Sequence, residues 1–87
     1  METEIKEKIR VVSLFENGQI KPILFSWRKK IYKILRVVFS YSKGSSSTYS
    51  KNIGREKIFY FSVECGGGMF ELSFNREKFW WEIEKVY

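Results

Sequence analysis

The chain has 87 residues, a net charge of +6, one cysteine and no histidine. It also lacks aspartate, so the familiar catalytic triads and histidine-based metal sites cannot be assembled, and the lone cysteine excludes an internal disulfide. We therefore expect a non-catalytic protein that uses no metal and no cofactor.

A chain of this length makes one domain, residues 1–87, and its core must be dense because it buries only about two-thirds of its unfolded surface. Aromatic residues, at 18% of the chain, supply that density. No apolar run reaches the length of a membrane span, and the acidic start Met1–Glu4 is unlike a signal peptide. We expect a cytoplasmic protein with no membrane partner.

The first two strands are predicted on either side of a tight turn. Residues 1–7 are charged, and we expect them to be frayed. Lys8–Phe15 is rich in β-branched residues and is followed by Asn17–Gly18, a strong hairpin signal. The second strand is predicted over Ile20–Trp27, where Pro22 belongs at the strand start, at a bulge or on an edge.

The third strand is predicted over Ile31–Tyr41, and its turn is open to two interpretations. A two-residue turn at Arg28–Lys29 pairs Phe25 with Tyr32. A turn one residue later pairs Trp27 with Tyr32 instead. Both registers keep one face apolar, so the sequence does not decide between them.

The third strand is apolar on both faces at Val37–Phe39. Either a bulge near Arg36 rotates the pattern, or both faces are covered, as in a small barrel. Residues 42–56 are rich in serine, glycine and lysine, and we expect them to form one long mobile loop.

Residues 57–87 predict a three-stranded meander with turns at Gly66–Gly67 and Asn75–Lys78. One face then holds the rows Phe59/Phe74/Phe79, Phe61/Leu72/Trp81 and Val63/Phe70/Ile83. The opposite face holds Tyr60/Ser73/Trp80, Ser62/Glu71/Glu82 and Glu64/Met69/Glu84, which we expect to be solvated. The fold class is therefore all-β, a six-stranded antiparallel meander rolled into a small, partly open barrel.

Short aromatic motifs carry a resemblance to a known family. They are Pro22, Phe25, Trp27–Arg28, Tyr32, Tyr60–Val63, Phe70–Leu72, Trp80 or Trp81, and Val86–Tyr87. In this order they resemble a family of small uncharacterised β-rich bacterial domains found alone or appended to relatives of damage-tolerance DNA polymerases. Lys29 stands where that family has glycine. The resemblance implies an accessory role near DNA, with a DNA-repair or replication protein as partner.

Positive charge is concentrated in residues 21–57, which hold ten basic residues and one acidic residue. This distribution predicts a nucleic-acid partner. The predicted phosphate contacts are Arg28, Lys29, Lys30, Lys33, Arg36, Lys43, Lys51 and Arg55, and the predicted base-stacking residues are Trp27 and Tyr32. The alternatives are that the cations only keep the protein soluble and that the two rings belong to the packed face.

A second interpretation assigns a protein-interaction or self-association surface to the outward-facing Tyr60 and Trp80 or to an exposed sheet edge. Their alternative is burial beneath the N-terminal segment or the long loop. Gly66–Gly68 joins two strands without a following helix, so a hairpin turn explains it better than phosphate binding.

Overall fold

The computed structural model describes residues 2–44 and 56–87, which form six strands. The strands are β1 (Thr3–Glu16), β2 (Gln19–Trp27), β3 (Lys30–Gly44), β4 (Glu56–Cys65), β5 (Gly68–Asn75) and β6 (Trp80–Val86). Each strand pairs antiparallel with the next, and β6 returns to pair with β1, so the strand order is that of a closed barrel. The prediction of an all-β, six-stranded antiparallel barrel is confirmed.

Closure differs from the partly open barrel that the sequence predicts, and the N-terminal residues account for the difference. Thr3–Glu7 were expected to be frayed, but they begin β1, where Thr3 pairs with Val86. This pairing gives β6 a neighbour for backbone groups that would otherwise lie on an open edge. Ile5 also packs against the core.

The boundaries of the predicted 42–56 loop also change. Ser42–Gly44 continue β3, and Glu56 begins β4. Residues 45–55 lie outside the described residues, so the predicted long loop stays a prediction there.

Both turns of the first three strands contain two residues with positive φ. At Asn17 and Gly18 the φ angles are 51° and 73°, and at Arg28 and Lys29 they are 51° and 66°. Positive φ at both central positions defines the turn type whose twist matches that of the flanking strands. The turn at Arg28–Lys29 settles the open register, because Phe25 pairs with Tyr32.

The first hairpin of the meander is confirmed in detail. Gly66 and Gly67 form its turn, and Cys65 pairs with Gly68. The predicted pairs Phe59 with Phe74, Phe61 with Leu72 and Val63 with Phe70 are all present.

The register predicted for the second hairpin is wrong by two residues from the turn to Leu72, and by three beyond the irregularity between Glu71 and Leu72. Phe74 pairs with Trp81 rather than with Phe79, and Leu72 pairs with Ile83. The turn comprises residues 76–79, and Asn75 holds it: its side-chain oxygen accepts the backbone N–H groups of Glu77 and Lys78. A shift of two preserves which face each residue occupies, so Trp81 remains inside while Phe79 is exposed.

Most of the buried core comes from the last three strands. Its members are Phe25, Phe61, Val63, Cys65, Phe70, Leu72, Phe74, Trp81 and Ile83. In the first three strands, several apolar residues that pack against this core, including Ile9, Val11 and Ile34, are only half-buried. The core is therefore asymmetric, and the first half of the barrel wall presents more apolar surface to solvent.

Glu71 corrects the expectation that the outer face of the meander is fully solvated. It is paired between Ser62 and Lys85 on that face, yet only 5% of it is exposed. The Tyr41 hydroxyl donates to Glu71 Oε2 at 3.1 Å, which satisfies the covered carboxylate. Glu71 is thus part of an outer layer built by a ring from β3.

Bulges in the first half of β3 change its course. Its register against β4 shifts between Ile34 and Arg36 and again between Val37 and Phe39, which confirms the bulge predicted near Arg36. The pairing of β3 with β2 is short, running from Trp27 with Lys30 to Leu24 with Lys33.

Candidate nucleic-acid interface

The basic turn between β2 and β3 is fastened to β1 by Glu7. Arg28 Nη2 donates to Glu7 Oε2 at 2.8 Å, and Trp27 Nε1 donates to Glu7 Oε1 at 2.8 Å. The Arg28 guanidinium also lies over the Trp27 ring, 4.5 Å from its centroid. One carboxylate therefore fixes both the predicted phosphate ligand and the predicted stacking ring.

This arrangement shifts the ionisation of both charged partners. Hydrogen bonds from Arg28, and then from Trp27, lower the pKa of Glu7, and the bond to Glu7 raises the pKa of Arg28. Glu7 is a residue of the candidate site that sequence reasoning missed, because nothing in the local sequence places residue 7 beside residue 28. A phosphate that binds Arg28 has to compete with this carboxylate.

Trp27 and Tyr32 belong to an aromatic cluster at the turn end of the barrel. Phe25 and Tyr32 stack with centroids 5.0 Å apart, and Phe70 meets Tyr32 edge-on at 5.1 Å. Trp27 lies 6.3 Å from Phe70. Both predicted stacking residues are half-buried, as expected if the two rings belong to the packed face. Each ring still keeps part of its surface in solvent.

The predicted phosphate ligands divide into paired and unpaired cations. Arg28 pairs with Glu7, and Arg36 Nε lies 2.6 Å from Glu64 Oε1. Lys29, Lys30 and Lys33 are exposed and take part in no salt bridge within residues 2–44 and 56–87. These three lysines lie in or next to the β2–β3 turn and are accessible to an anion.

The remaining predicted cations do not extend this group within the described residues. Lys43 lies near the other end of β3, with its Nζ 5.3 Å from the centroid of the Tyr60 ring. Lys51 and Arg55 lie outside the described residues. The interface supported by geometry is therefore centred on the β2–β3 turn.

The sequence from 19 to 44 gives β2 and β3 a single sign of charge. It holds seven basic residues and no acidic residue. Acidic side chains gather instead on the outer face of β4–β6, at Glu64, Glu71, Glu82 and Glu84. The charged side chains of β2 and β3 are thus all positive, whereas four carboxylates lie on the outer face of β4–β6, and this distribution favours approach of a polyanion to β2 and β3.

Exposed apolar side chains on β3 are a further feature that site prediction missed. They include Ile31, Leu35, Val37, Val38 and Phe39, and Phe39 is 60% exposed. The apolar run Val37–Phe39 was the available signal, but the sequence alone does not give the outward direction of Phe39, because two bulges shift the register of β3 before it. Phe39 therefore places an exposed aromatic ring on β3, one of the two positively charged strands.

Tyr60 and Trp80, the residues of the second interpretation, are engaged within the chain. Tyr41 stacks on Tyr60 with centroids 4.7 Å apart, and burial, followed by the charge of Glu84, raises the pKa of Tyr60. Lys8 Nζ lies 3.7 Å from the Trp80 ring centroid. The shifted register also separates the two, since Ser73 pairs with Glu82 rather than with Trp80.

Two other kinds of site find no support among the described residues. In residues 2–44 and 56–87, no group of three potential metal ligands comes together. The same ranges contain no helix with the length and apolar character needed to cross a bilayer.

Comparison with known proteins provides no independent indication of function. No protein-family model, no curated protein and no solved structure matches the chain. The resemblance to the β-rich bacterial domains therefore stays a prediction, and the functional argument depends on the charge and geometry of the barrel.

Proposed function

We propose that this protein is a non-catalytic binding module that holds nucleic acid on β2 and β3 with little regard to sequence. The observation that carries the proposal is the single sign of charge on these strands and the turn between them, seven basic residues and no acidic one. Contacts from lysine to phosphate give affinity without reading bases.

The turn supplies the phosphate contacts. Lys29, Lys30 and Lys33 are exposed and supported by a rigid strand pair, so their charges meet a strand of phosphates without a large cost in ordering the backbone. Arg28 adds to this group once phosphate replaces Glu7 as its partner. Aromatic surface at Trp27, Tyr32 and Phe39 offers stacking for unpaired bases, which favours single strands.

Fluorescence anisotropy with single- and double-stranded oligonucleotides tests the proposal. We expect binding at low salt and a linear fall of log affinity with log salt concentration. Lys30→Gln combined with Lys33→Gln should reduce the slope by about 1.4, because each phosphate contact to a single strand contributes about 0.7. Phe39→Ala should weaken single-strand binding by about 1–3 kcal/mol if one base stacks there.

The matched control is Arg76→Gln combined with Lys78→Gln. It removes the same charge from the turn between β5 and β6, two strands that pair with neither β2 nor β3. The control should change the slope little. Absence of binding at low salt, binding that ignores salt, or equal effects of the two double variants would overturn the proposal.

A second function, protein interaction or self-association, is favoured by one specific observation. The outer face of β3 exposes Ile31, Leu35 and Phe39, and β1 exposes Val12 and Leu14. Exposed apolar groups of this kind are typical of interaction surfaces. Light scattering over a range of concentrations separates this function from nucleic-acid binding, since self-association raises the mass without any oligonucleotide.

A further inference from the structure

β2 and β3 are paired over only part of their length. Their pairs end at Leu24 with Lys33, although β2 extends back to Gln19 and β3 continues to Gly44. On their other sides, β2 is paired with β1 and β3 with β4. Within residues 2–44 and 56–87, the facing edges of these two strands therefore have no strand neighbour beyond Leu24 and Lys33.

The separation has local causes. Bulges at Leu35 and Val38 add twist to β3 immediately after the last pair, and bulged strands bend away from their neighbours. Pro22 in β2 has no N–H and cannot donate to a ladder. The two strands are consequently unable to continue their pairing in register.

The space between the separated ends is a cleft of about 450 Å³. We call it the β2–β3 cleft; its lining residues include Gln19 and Ile20 from β2, Ser40 and Ser42 from β3, and Phe59 and Phe61 from β4. The volume lies within the range of roughly 300–1,000 Å³ that is usual for ligand sites. Its floor is aromatic and its sides are strand edges.

Some side chains of β3 that face inward are exposed in the part of the strand that has no β2 partner. Val37 pairs with the fully buried Val63 and so faces the barrel interior, yet 37% of Val37 is exposed. Ser40 pairs with the buried Phe61 and is exposed as well. Their exposure follows from the missing neighbour of β3, and an added strand would cover them.

We propose that the β2–β3 cleft binds an extended acidic peptide segment of a partner protein, which pairs as an additional strand with the edge of β3. Unpaired backbone groups supply the affinity in this mode, and alternate side chains supply the specificity. Apolar residues of the peptide lie over Val37, Phe59 and Phe61, and the residues between them point outward.

Charge complementarity identifies the acidic character of the segment. Lys21 flanks the cleft on β2 and Lys43 flanks it on β3, and neither strand carries an acidic residue. The outward side chains of a bound strand lie near these lysines, so glutamate or aspartate is favoured there and lysine is disfavoured.

The cleft is separate from the proposed nucleic-acid contacts at the turn. Lys29 and Lys30 lie at the paired end of β2 and β3, whereas Ile20 and Ser42 lie at the opposite end of these strands. Peptide binding therefore goes beyond the proposed function and can be tested without nucleic acid.

The test uses the whole chain and three short fluorescent peptides. The first alternates valine with glutamate, the second alternates valine with lysine, and the third is the glutamate peptide with alternate backbone nitrogens methylated. We expect the glutamate peptide to bind at least about tenfold more tightly than the lysine peptide, and the methylated peptide not to bind. Bound glutamate peptide should slow amide hydrogen exchange in residues 37–42.

Charge-reversal variants add the matched comparison. Lys21→Glu combined with Lys43→Glu should invert the preference between the two peptides, while Lys78→Glu, outside the cleft, should leave it unchanged. Lys30→Gln combined with Lys33→Gln should retain peptide binding even where it weakens oligonucleotide binding, so the two proposals fail separately.

Three results would overturn the peptide proposal. They are no binding of the glutamate peptide, binding that survives backbone methylation, and binding that leaves exchange in residues 37–42 unchanged. Slow exchange in these residues without peptide, together with a dimer in sedimentation, would also overturn it, because a second copy of the chain would then occupy the cleft.

Discussion

Lys29 occupies a backbone position that suits glycine. Its φ of +66° lies in the left-handed region, where a side chain other than glycine costs about 1–2 kcal/mol. Lys29→Gly should therefore raise the free energy of unfolding by about 1 kcal/mol and Tm by about 4–8 °C. Urea and thermal denaturation measure both quantities.

The control for this change is Lys29→Ala. It removes the same charge but keeps the Cβ atom, so it should give no comparable gain. An equal gain from both variants would attribute the stabilisation to reduced repulsion among the cations of the turn.

Tyr41 is a residue whose ionisation reports the outer layer over Glu71. Burial, and then the charge of Glu71, raises the pKa of Tyr41 to about 12. The pKa of Tyr41 in the folded protein lies above the ordinary value of 10. The contribution of protonated Tyr41 to the free energy of unfolding is therefore complete below pH 10 and is lost as pH rises through 12. An absorbance titration at alkaline pH should show this late transition.

Tyr41→Phe should remove the late transition and destabilise the fold by about 1–3 kcal/mol, because it leaves a buried carboxylate oxygen of Glu71 without its donor. Tyr87→Phe should keep the transition, since Tyr87 lies outside this contact. Persistence of the late transition in Tyr41→Phe would assign it to another tyrosine.

Among the elements, the two hairpins of the meander show how far alternation determines a fold. Alternation decides which face a residue occupies, and Leu72, Trp81 and Ile83 are buried as predicted. It does not separate registers that differ by two residues, because Phe79 and Trp81 are both aromatic and share a face. The observed register goes with a turn in which the Asn75 side chain accepts two backbone hydrogen bonds, and these bonds were not evident from the order of residues alone.

The junction of β1 with the β2–β3 turn depends on ionised Glu7. Its lowered pKa means that the contribution of the Glu7 contacts is present above pH 4.5 and is lost as pH falls through the lowered value. Tryptophan fluorescence should change over this acid range as the indole of Trp27 loses its charged acceptor.

Glu7→Gln should abolish that acid transition, because the amide keeps an acceptor oxygen but does not ionise. Glu16→Gln, at the other end of β1, should preserve it. An acid transition that persists in Glu7→Gln would show that the junction is held by other groups.

At the scale of the whole molecule, the sequence predicted where the positive charge is concentrated, but not which cations are free of salt bridges. The concentration of cations in the middle of the chain is a property of composition alone. Which of them remain accessible depends on contacts between distant strands, as in the pairing of Arg28 with Glu7 and of Arg36 with Glu64. The β2–β3 cleft was likewise beyond prediction, since it results from two bulges in β3 together with Pro22 in β2.

The pairing of β1 with β6 closes the barrel, and we expect its N-terminal part to contribute to stability. Thr3 and Glu4 pair with β6, and Ile5 packs against the core. Deleting residues 1–6 removes these ladder contacts, each worth about 1 kcal/mol, and the half-buried Ile5 side chain. The unfolding free energy should fall by about 2–4 kcal/mol, as measured by urea denaturation.

Isoleucine truncations separate loss of packing from loss of chain. Ile5→Ala should account for part of the decrease, whereas Ile31→Ala, at a side chain 70% exposed, should change stability by less than about 0.5 kcal/mol. If the shortened chain keeps its full stability, the first residues contribute nothing to the wall. The end of β6 at Lys85 and Val86 would then form a short exposed edge, because Glu7–Ile9 still pair with the rest of β6, and strand addition by a partner would be expected there as well as at β3.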